Sequence, residues 1–580
     1  INAVDEDYNT ALHEAAAKGH PHVVELLLGA GARTDVCNAV GNDALHRAID
    51  AGHAVLAHRI WRLTRDARFT PAHLAALGYV DVDTEAAFTV EVANAVDGCG
   101  YTPLHVAAAV GNADVLTRLV SAGAEVGAVT KGSCTPLYIA CCNGNEACVR
   151  ALLEAGANLE ALNKVGATPL YIACQNGHEA CVRALLGAGA NKEATDKYGA
   201  TPLYVACEKG HEACVRVLLG AGVNREAANK NGATPLFIAC CNGHEACVRA
   251  LLGAGANMEA ADYDGWTPLH AACSRGHEAC VRTMLGAGAN GDAAEKNGAT
   301  PLYIACQNGH EACVRAMLGA GANKEATKTG GYTPLFIACW NGREACVRAL
   351  LGAGANKEAV SKDGWTPLYA ACRFGHEACV RAMLDAGAYK ETVDVRGRTP
   401  LYIACKKGHE ACVRAMLDAG ANMEAADEDC ATPLYIACLK GHDACVRALL
   451  GAGAYKEAVN DWHLRTPLYI ACQNGQEACV RVLLDAGANI EATDKYGATP
   501  LFIACCFGYE ACVRAMLDAG ANMEAADNNG VTPLYIACQN GHEACVRAML
   551  DVGANKEAVA SDGRTPLNIA CRKGYAACVR

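Results

Sequence analysis

Three things are scarce in this 580-residue chain. Aromatic residues make up only 6% of it, and positive charge is outweighed, with 50 Lys and Arg against 62 Asp and Glu for a net charge of −12. Long apolar runs are missing, because polar or charged residues interrupt every helix-length segment. The charge balance argues against a nucleic-acid binder, which shows a basic surplus or stripe. Without a run of about 18 apolar residues there is no helical membrane span, so no membrane insertion is expected. No phosphate-cradling Gly-x-Gly-x-x-Gly or Gly-x-x-x-x-Gly-Lys-Ser/Thr opens a helix after a strand, and His-Glu-Ala-Cys is not the His-Glu-x-x-His of a metalloprotease.

Cysteine, by contrast, is abundant: 35 residues. Their spacing is too regular for the disulfide framework of a small secreted domain. The stretch Ala-Cys-Gln-Asn-Gly-His-Glu-Ala-Cys occupies 173–181 and returns at 305–313 and 537–545. Taken alone, Cys174, His178 and Cys181 could be metal ligands or an activated thiol.

The period settles the architecture. Thr-Pro-Leu begins at 102, 135, 168, 201, 234, 267, 300, 333, 366, 399, 432, 466, 499, 532 and 565, in steps of 33 residues with one step of 34 near Asp461-Trp462-His463. Weaker copies start at Thr10, Asp43 and Thr70, making 18 in all. A fixed period of this size means a stacked array, since one copy cannot bury its apolar face alone. In 168–190 the spacing predicts two short helices. Thr168 caps the first, Pro169 occupies its first position and Gly177 stops it. Cys181, Val182, Leu185 and Leu186 form the apolar stripe of the second, which Gly189 ends.

Thr102-Pro103-Leu104-His105-Val106-Ala107 and the 33-residue period resemble the ankyrin repeat. The resemblance covers essentially all of 1–580, and residues 47–95 fit it poorly. It implies an all-α ankyrin-repeat solenoid of about 18 helix-turn-helix copies: a curved stack with hairpin-like turn tips along one edge. Residues 1–96 read as degenerate N-terminal repeats, and 97–580 as the regular array, truncated within its last repeat. In this family the His after Thr-Pro-Leu bonds between neighbouring turns. The regular part keeps it only as His105 and His270; twelve copies carry Tyr or Phe, such as Tyr171, Phe237 and Phe336. Bonding at those joints is therefore open, with aromatic stacking a substitute.

Fourteen consecutive copies, from Cys141/Cys148 to Cys571/Cys578, carry a Cys-x6-Cys pair at inward-facing packing positions. Asn145, Arg343, Gln476, Tyr509 and Tyr575 replace the His between them in five copies, and both Cys remain each time. A metal site that lost its His would relax the demand for its Cys, so reduced core thiols are expected. No catalytic, cofactor or metal site is expected; the chain reads as non-enzymatic, with no cofactors. Glu179 and Arg183, and their copies, read as a solvated outer face.

Specificity should sit where copies differ: at the turn tips before Thr-Pro-Leu and just before the inter-helix Gly. The candidate partner-binding residues there are Tyr198, Tyr263, Trp266, Arg275, Tyr332, Trp340, Trp365, Arg373 and Phe374. Trp, Tyr and Arg are the types enriched at interface hot spots. Trp266, Tyr332, Trp340, Trp365 and Phe374 are expected on one continuous face, with Trp365→Ala weakening binding but hardly affecting folding. The reading is an intracellular, cytoplasmic, monomeric scaffold that binds other proteins through its turn tips and the concave first-helix face, with no nucleic acid. One alternative is the repeat segment of a larger enzyme or channel, since Ile1 and Arg580 both fall mid-repeat. Another is a thiol-rich redox or metal-binding protein.

Overall fold

A computed structural model describes residues 1–64, 69–79, 89–460 and 463–580. The described residues hold 36 helices, which alternate as first and second members of successive pairs. Among them β-structure is confined to isolated bridges, Val4 with Thr10 and Lys328 with Tyr332. No helix of the described residues is long and apolar enough to cross a membrane. The chain divides into two compact bodies, Ile1–Lys296 and Asn297–Arg580. Part of the poorly fitting stretch, 80–88, lies outside the described residues, as do Asp461 and Trp462 beside the single 34-residue step.

One copy shows why the sequence folds this way. Thr168 is extended and its side chain accepts the Tyr171 amide at 3.2 Å, while Pro169 starts the helix Pro169–Asn176. Capping of this kind satisfies a helix-end donor that has no partner in the helix. Gly177 ends the helix at φ +80. It must be glycine twice over, since an added Cβ would also stand 2.5 Å from Nδ1 of His211 in the next copy. The second helix, Glu179–Gly187, buries Cys181, Val182 and Leu185 against the first.

The thiols sit where the period places them. In every pair from Cys141/Cys148 to Cys538/Cys545 both cysteines are buried; in the last, Cys571 is exposed and Cys578 half-buried. Burial pushes the thiols up, that of Cys148 to about 12 and that of Cys181 to about 11. They are therefore neutral, small apolar side chains at physiological pH.

Three bonds repeated from copy to copy tie the stack together. His178 Nε2 bonds the Cys142 carbonyl of the preceding copy at 2.9 Å, and His211 and His376 do the same to Gln175 and Trp340 at 3.0 Å. The histidine of the Cys-x3-His-x2-Cys triplet is thus engaged with backbone. Asn145 and Arg343 reach the equivalent carbonyls where His is replaced. The second bond runs from the tyrosine after Thr-Pro-Leu to the next turn tip: Tyr171 to Asp196 at 3.1 Å, Tyr402 to Asp427 at 2.6 Å, Tyr469 to Asp494 at 2.9 Å. At Tyr138 and Tyr204 the hydroxyl accepts from Asn163 and Asn229 instead. In these copies tyrosine supplies a bond across the joint that the loss of His left open. In the third, Glu160 Oε1 accepts the Asn191 amide of the next copy at 2.7 Å, and Glu193 that of Asn224 at 2.7 Å.

Candidate functional site

Many of the turn tips are built around one polar side chain, as at Asp196, Asp262 and Asp394. Asp196 Oδ1 accepts the amides of Tyr198 at 2.9 Å and Ala200 at 2.8 Å, and Gly199 turns the chain back toward Asp196. This Asx-type turn fixes the backbone and leaves the residues between Asp196 and Ala200 directed outward. Tyr198 is exposed there, with Lys197 Nζ 4.9 Å from its ring centroid. Successive tips are joined through backbone, the Lys230 amide donating to the Tyr198 carbonyl at 3.0 Å.

In the first body, Tyr263 is exposed on its tip and its amide bonds the Asn231 carbonyl at 3.2 Å. Trp266 is half-buried, its amide donates to Asp262 and its ring lies 6.0 Å from that of His270. Arg275 is exposed at the end of the first helix Pro268–Arg275.

In the second body the variable residues converge. Tyr332 lies 4.9 Å from Phe336 and 6.2 Å from Trp340. Trp340 stacks on Trp365 at 5.9 Å and meets Phe374 at 4.3 Å. Trp365 in turn stacks on Tyr369 at 5.4 Å, and the Arg373 guanidinium covers it at 4.6 Å. Tyr332, Trp340, Trp365 and Arg373 are half-buried and Phe374 is exposed. The tip and pre-glycine slots of two consecutive copies thus build one aromatic surface with a cation on it. Trp266 belongs to the other body, where its ring neighbours that of His270. The ring contacts of Trp365 bear on its substitution: truncation removes two aromatic neighbours and a cation–π partner, so a loss of folding stability is expected.

The outer faces carry the expected ion pairs. Arg183 meets Glu179 at 2.6 Å and Arg381 meets Glu377 at 2.8 Å, all well exposed. Exposed pairs of this kind add little stability.

A family profile described as ankyrin repeats (3 copies) matches in overlapping blocks that together take in 1–60 and 85–580. Among solved structures, the human ASB11 ankyrin repeat domain is 31% identical, covering 38% of this chain and 99% of that one, with a TM-score of 0.35. The ankyrin repeat domain of Bcl-3, titled a unique member of the IkappaB protein family, is 35% identical, covering 36% of this chain and 94% of that one, with a TM-score of 0.33. No curated protein matches the chain's sequence.

Proposed function

Because the chain belongs to the ankyrin repeat family, whose repeats generally mediate protein–protein interaction, we propose that it is a non-enzymatic scaffold binding protein partners through its turn tips and first-helix faces. The observation that carries this reading is the Tyr332–Trp340–Trp365–Arg373–Phe374 surface. Large rings and a guanidinium, held half-exposed in fixed positions, lose little conformational freedom on binding and supply most of the energy of protein interfaces. Tyr198, Tyr263, Trp266 and Arg275 form the corresponding tip and helix-end positions of the first body. The acidic balance favours protein over nucleic-acid partners. The scaffold acts inside the cell as a monomer, where its many thiols stay reduced.

The test is capture of partners from lysate by wild type, Phe374→Ala, Trp365→Ala and Arg381→Ala, each checked by a thermal melt. Arg381 lies on the outer face, paired with Glu377. Loss of the same partners in both aromatic variants, with Arg381→Ala unchanged, supports the reading. Identical capture by all four removes the aromatic surface from it.

A further inference from the structure

The second and fourth helix pairs meet at a group of side chains unlike any other in the described residues. Asp43 caps the helix Ala44–Asp50, its Oδ1 accepting the His46 amide at 3.0 Å. The same carboxylate stands 2.7 Å from His46 Nδ1, and Cys99 Sγ lies 3.6 Å from its other oxygen. Cys99 comes from the tip that precedes the helix Pro103–Val110, which approaches because the rings of His46 and Tyr101 pack 4.5 Å apart. The donor atoms of Asp43, His46 and Cys99 all lie within 4.8 Å of one another, the one such trio among the described residues. A cavity of about 380 Å³ opens beside Asp43 and Cys99 and is also lined by Cys37 and Lys131.

We propose that Asp43, His46 through Nδ1, and Cys99 bind a divalent cation of the zinc class, with the fourth position open to the cavity. The mixed nitrogen, sulfur and oxygen set is one zinc accepts. Bond lengths of about 2.0–2.3 Å place tetrahedral ligands roughly 3.3–3.8 Å apart. Cys99 Sγ stands 3.6 Å from Asp43 Oδ2 and His46 Nδ1 stands 2.7 Å from Oδ1 of the same carboxylate, so a cation would enter by replacing the Asp43–His46 hydrogen bond. On the far side of the ring, His46 Nε2 bonds Asp97 Oδ2 at 2.6 Å, and the Asp97 side chain is fully buried. A carboxylate in that position orients a ligating imidazole and raises its basicity. Asp97 is itself fixed, accepting the amides of Cys99 at 2.9 Å and Tyr101 at 2.8 Å. Without a cation the same carboxylates hold His46 as a buried imidazolium. That arrangement accounts for Asp43, His46 and Asp97, and it leaves the Cys99 thiol on the second oxygen of Asp43 at the cavity wall. Binding displaces the proton from His46 Nδ1 and that of the Cys99 thiol, which leave to solvent. The site departs from the expectation of no metal, which was argued on the repeated Cys-x3-His-x2-Cys triplets and does not involve these residues.

The test uses the full chain, stripped with chelator under reducing conditions and then titrated with Zn²⁺ or Co²⁺. About one equivalent should be retained, and the cobalt form should show a tetrahedral spectrum with a sulfur-to-metal charge-transfer band. In the wild-type protein one equivalent of Zn²⁺ should slow alkylation of Cys99, mapped by mass spectrometry, which locates the site without any substitution. Asp97→Asn should weaken retention ~10–100-fold, and Cys99→Ser should abolish the charge-transfer band. A chain that retains no zinc, a cobalt spectrum without sulfur ligation, or protection that falls on other cysteines would each overturn the proposal.

Discussion

Tyr369 donates a 2.8 Å hydrogen bond from its hydroxyl to Asp394 Oδ2 in the following copy, and Asp394 Oδ1 accepts the amides of Arg396 and Arg398 at 2.9 and 3.0 Å. One carboxylate therefore shapes its own turn tip and receives the preceding helix pair. Burial alone would raise its pKa, but the Arg398 side chain and these donors hold it below the usual carboxylate range. Tyr369→Phe should cost on the order of 1–2 kcal/mol, because Arg398 still satisfies the carboxylate. The array contains the reverse case: Phe502 precedes Asp527, whose Oδ1 caps its own tip. Phe502→Tyr should gain the missing bond and raise the urea midpoint, while Tyr369→Phe lowers it. Shifts of the same sign in both variants would deny the bond its role.

The repeated thiols should react slowly while the chain is folded. Burial pushes those of Cys181, Cys214 and Cys247 up to about 11, so the reactive thiolate is scarce at neutral pH. Exposed Cys37 and Cys571 should alkylate first. Mass counting under native and denaturing conditions checks this; rapid native labelling of the Cys-x6-Cys pairs would show that they are not packed.

Helix pairs, caps and the burial of the thiols were legible because each follows from spacing within one copy. Five His-less copies also sufficed to separate His178 from the thiols beside it, although its true partner, the Cys142 carbonyl, lies 36 residues back. The Tyr joint was harder to read. Its partner is the polar residue that opens the next tip, 25 residues on, so both copies must be read together. The Glu160 bond to Asn191 joins residues 31 apart in the constant part of the repeat, so a single copy does not reveal it. The Asp43–His46–Cys99 group was invisible for a different reason. Asp43 and Cys99 are 56 residues apart, and the second helix pair meets the fourth where the periodic pattern fails.

Acid should destabilise the first body through His105. Burial lowers this histidine from its ordinary value near 6.5 to about 4, and its Nε2 bonds the Cys134 carbonyl at 3.1 Å. The unfolded chain binds this proton more readily, so the contribution is complete above pH 6.5 and is lost as pH falls toward 4. Its full size is on the order of 3 kcal/mol. His46 has the opposite sign. Burial would lower its pKa, but Asp43 and Asp97 raise it well above 6.5, so its contribution is present below that pH and fades as pH climbs through the raised value. His105→Asn keeps a cap of the kind Asn568 makes on Thr565. That variant should lose stability at neutral pH, and its stability should fall less than that of wild type between pH 6.5 and 4. Parallel urea midpoints across this range would remove His105 as the source.

Within the aromatic surface, stability and binding should separate by residue. Trp365 has two ring neighbours and the Arg373 guanidinium over its face, whereas exposed Phe374 has Trp340 at 4.3 Å and the same guanidinium at a longer 5.8 Å. Aromatic pairs are worth about 0.5–1.5 kcal/mol beyond burial, and a cation–π contact about 0.5–1. Trp365→Ala should therefore lose roughly 2 kcal/mol or more of local stability, and Phe374→Ala less than about half of that. Hydrogen exchange of the helices Pro334–Trp340 and Pro367–Phe374 reads the difference directly, since opening of one part of a stacked array need not unfold the rest. Phe374→Ala then becomes the cleaner probe of binding: a loss of partners with little change in exchange assigns the ring to contact rather than to packing. If Trp365→Ala exchanges like wild type, the stack is not a fixed element and cannot serve as a preorganised surface.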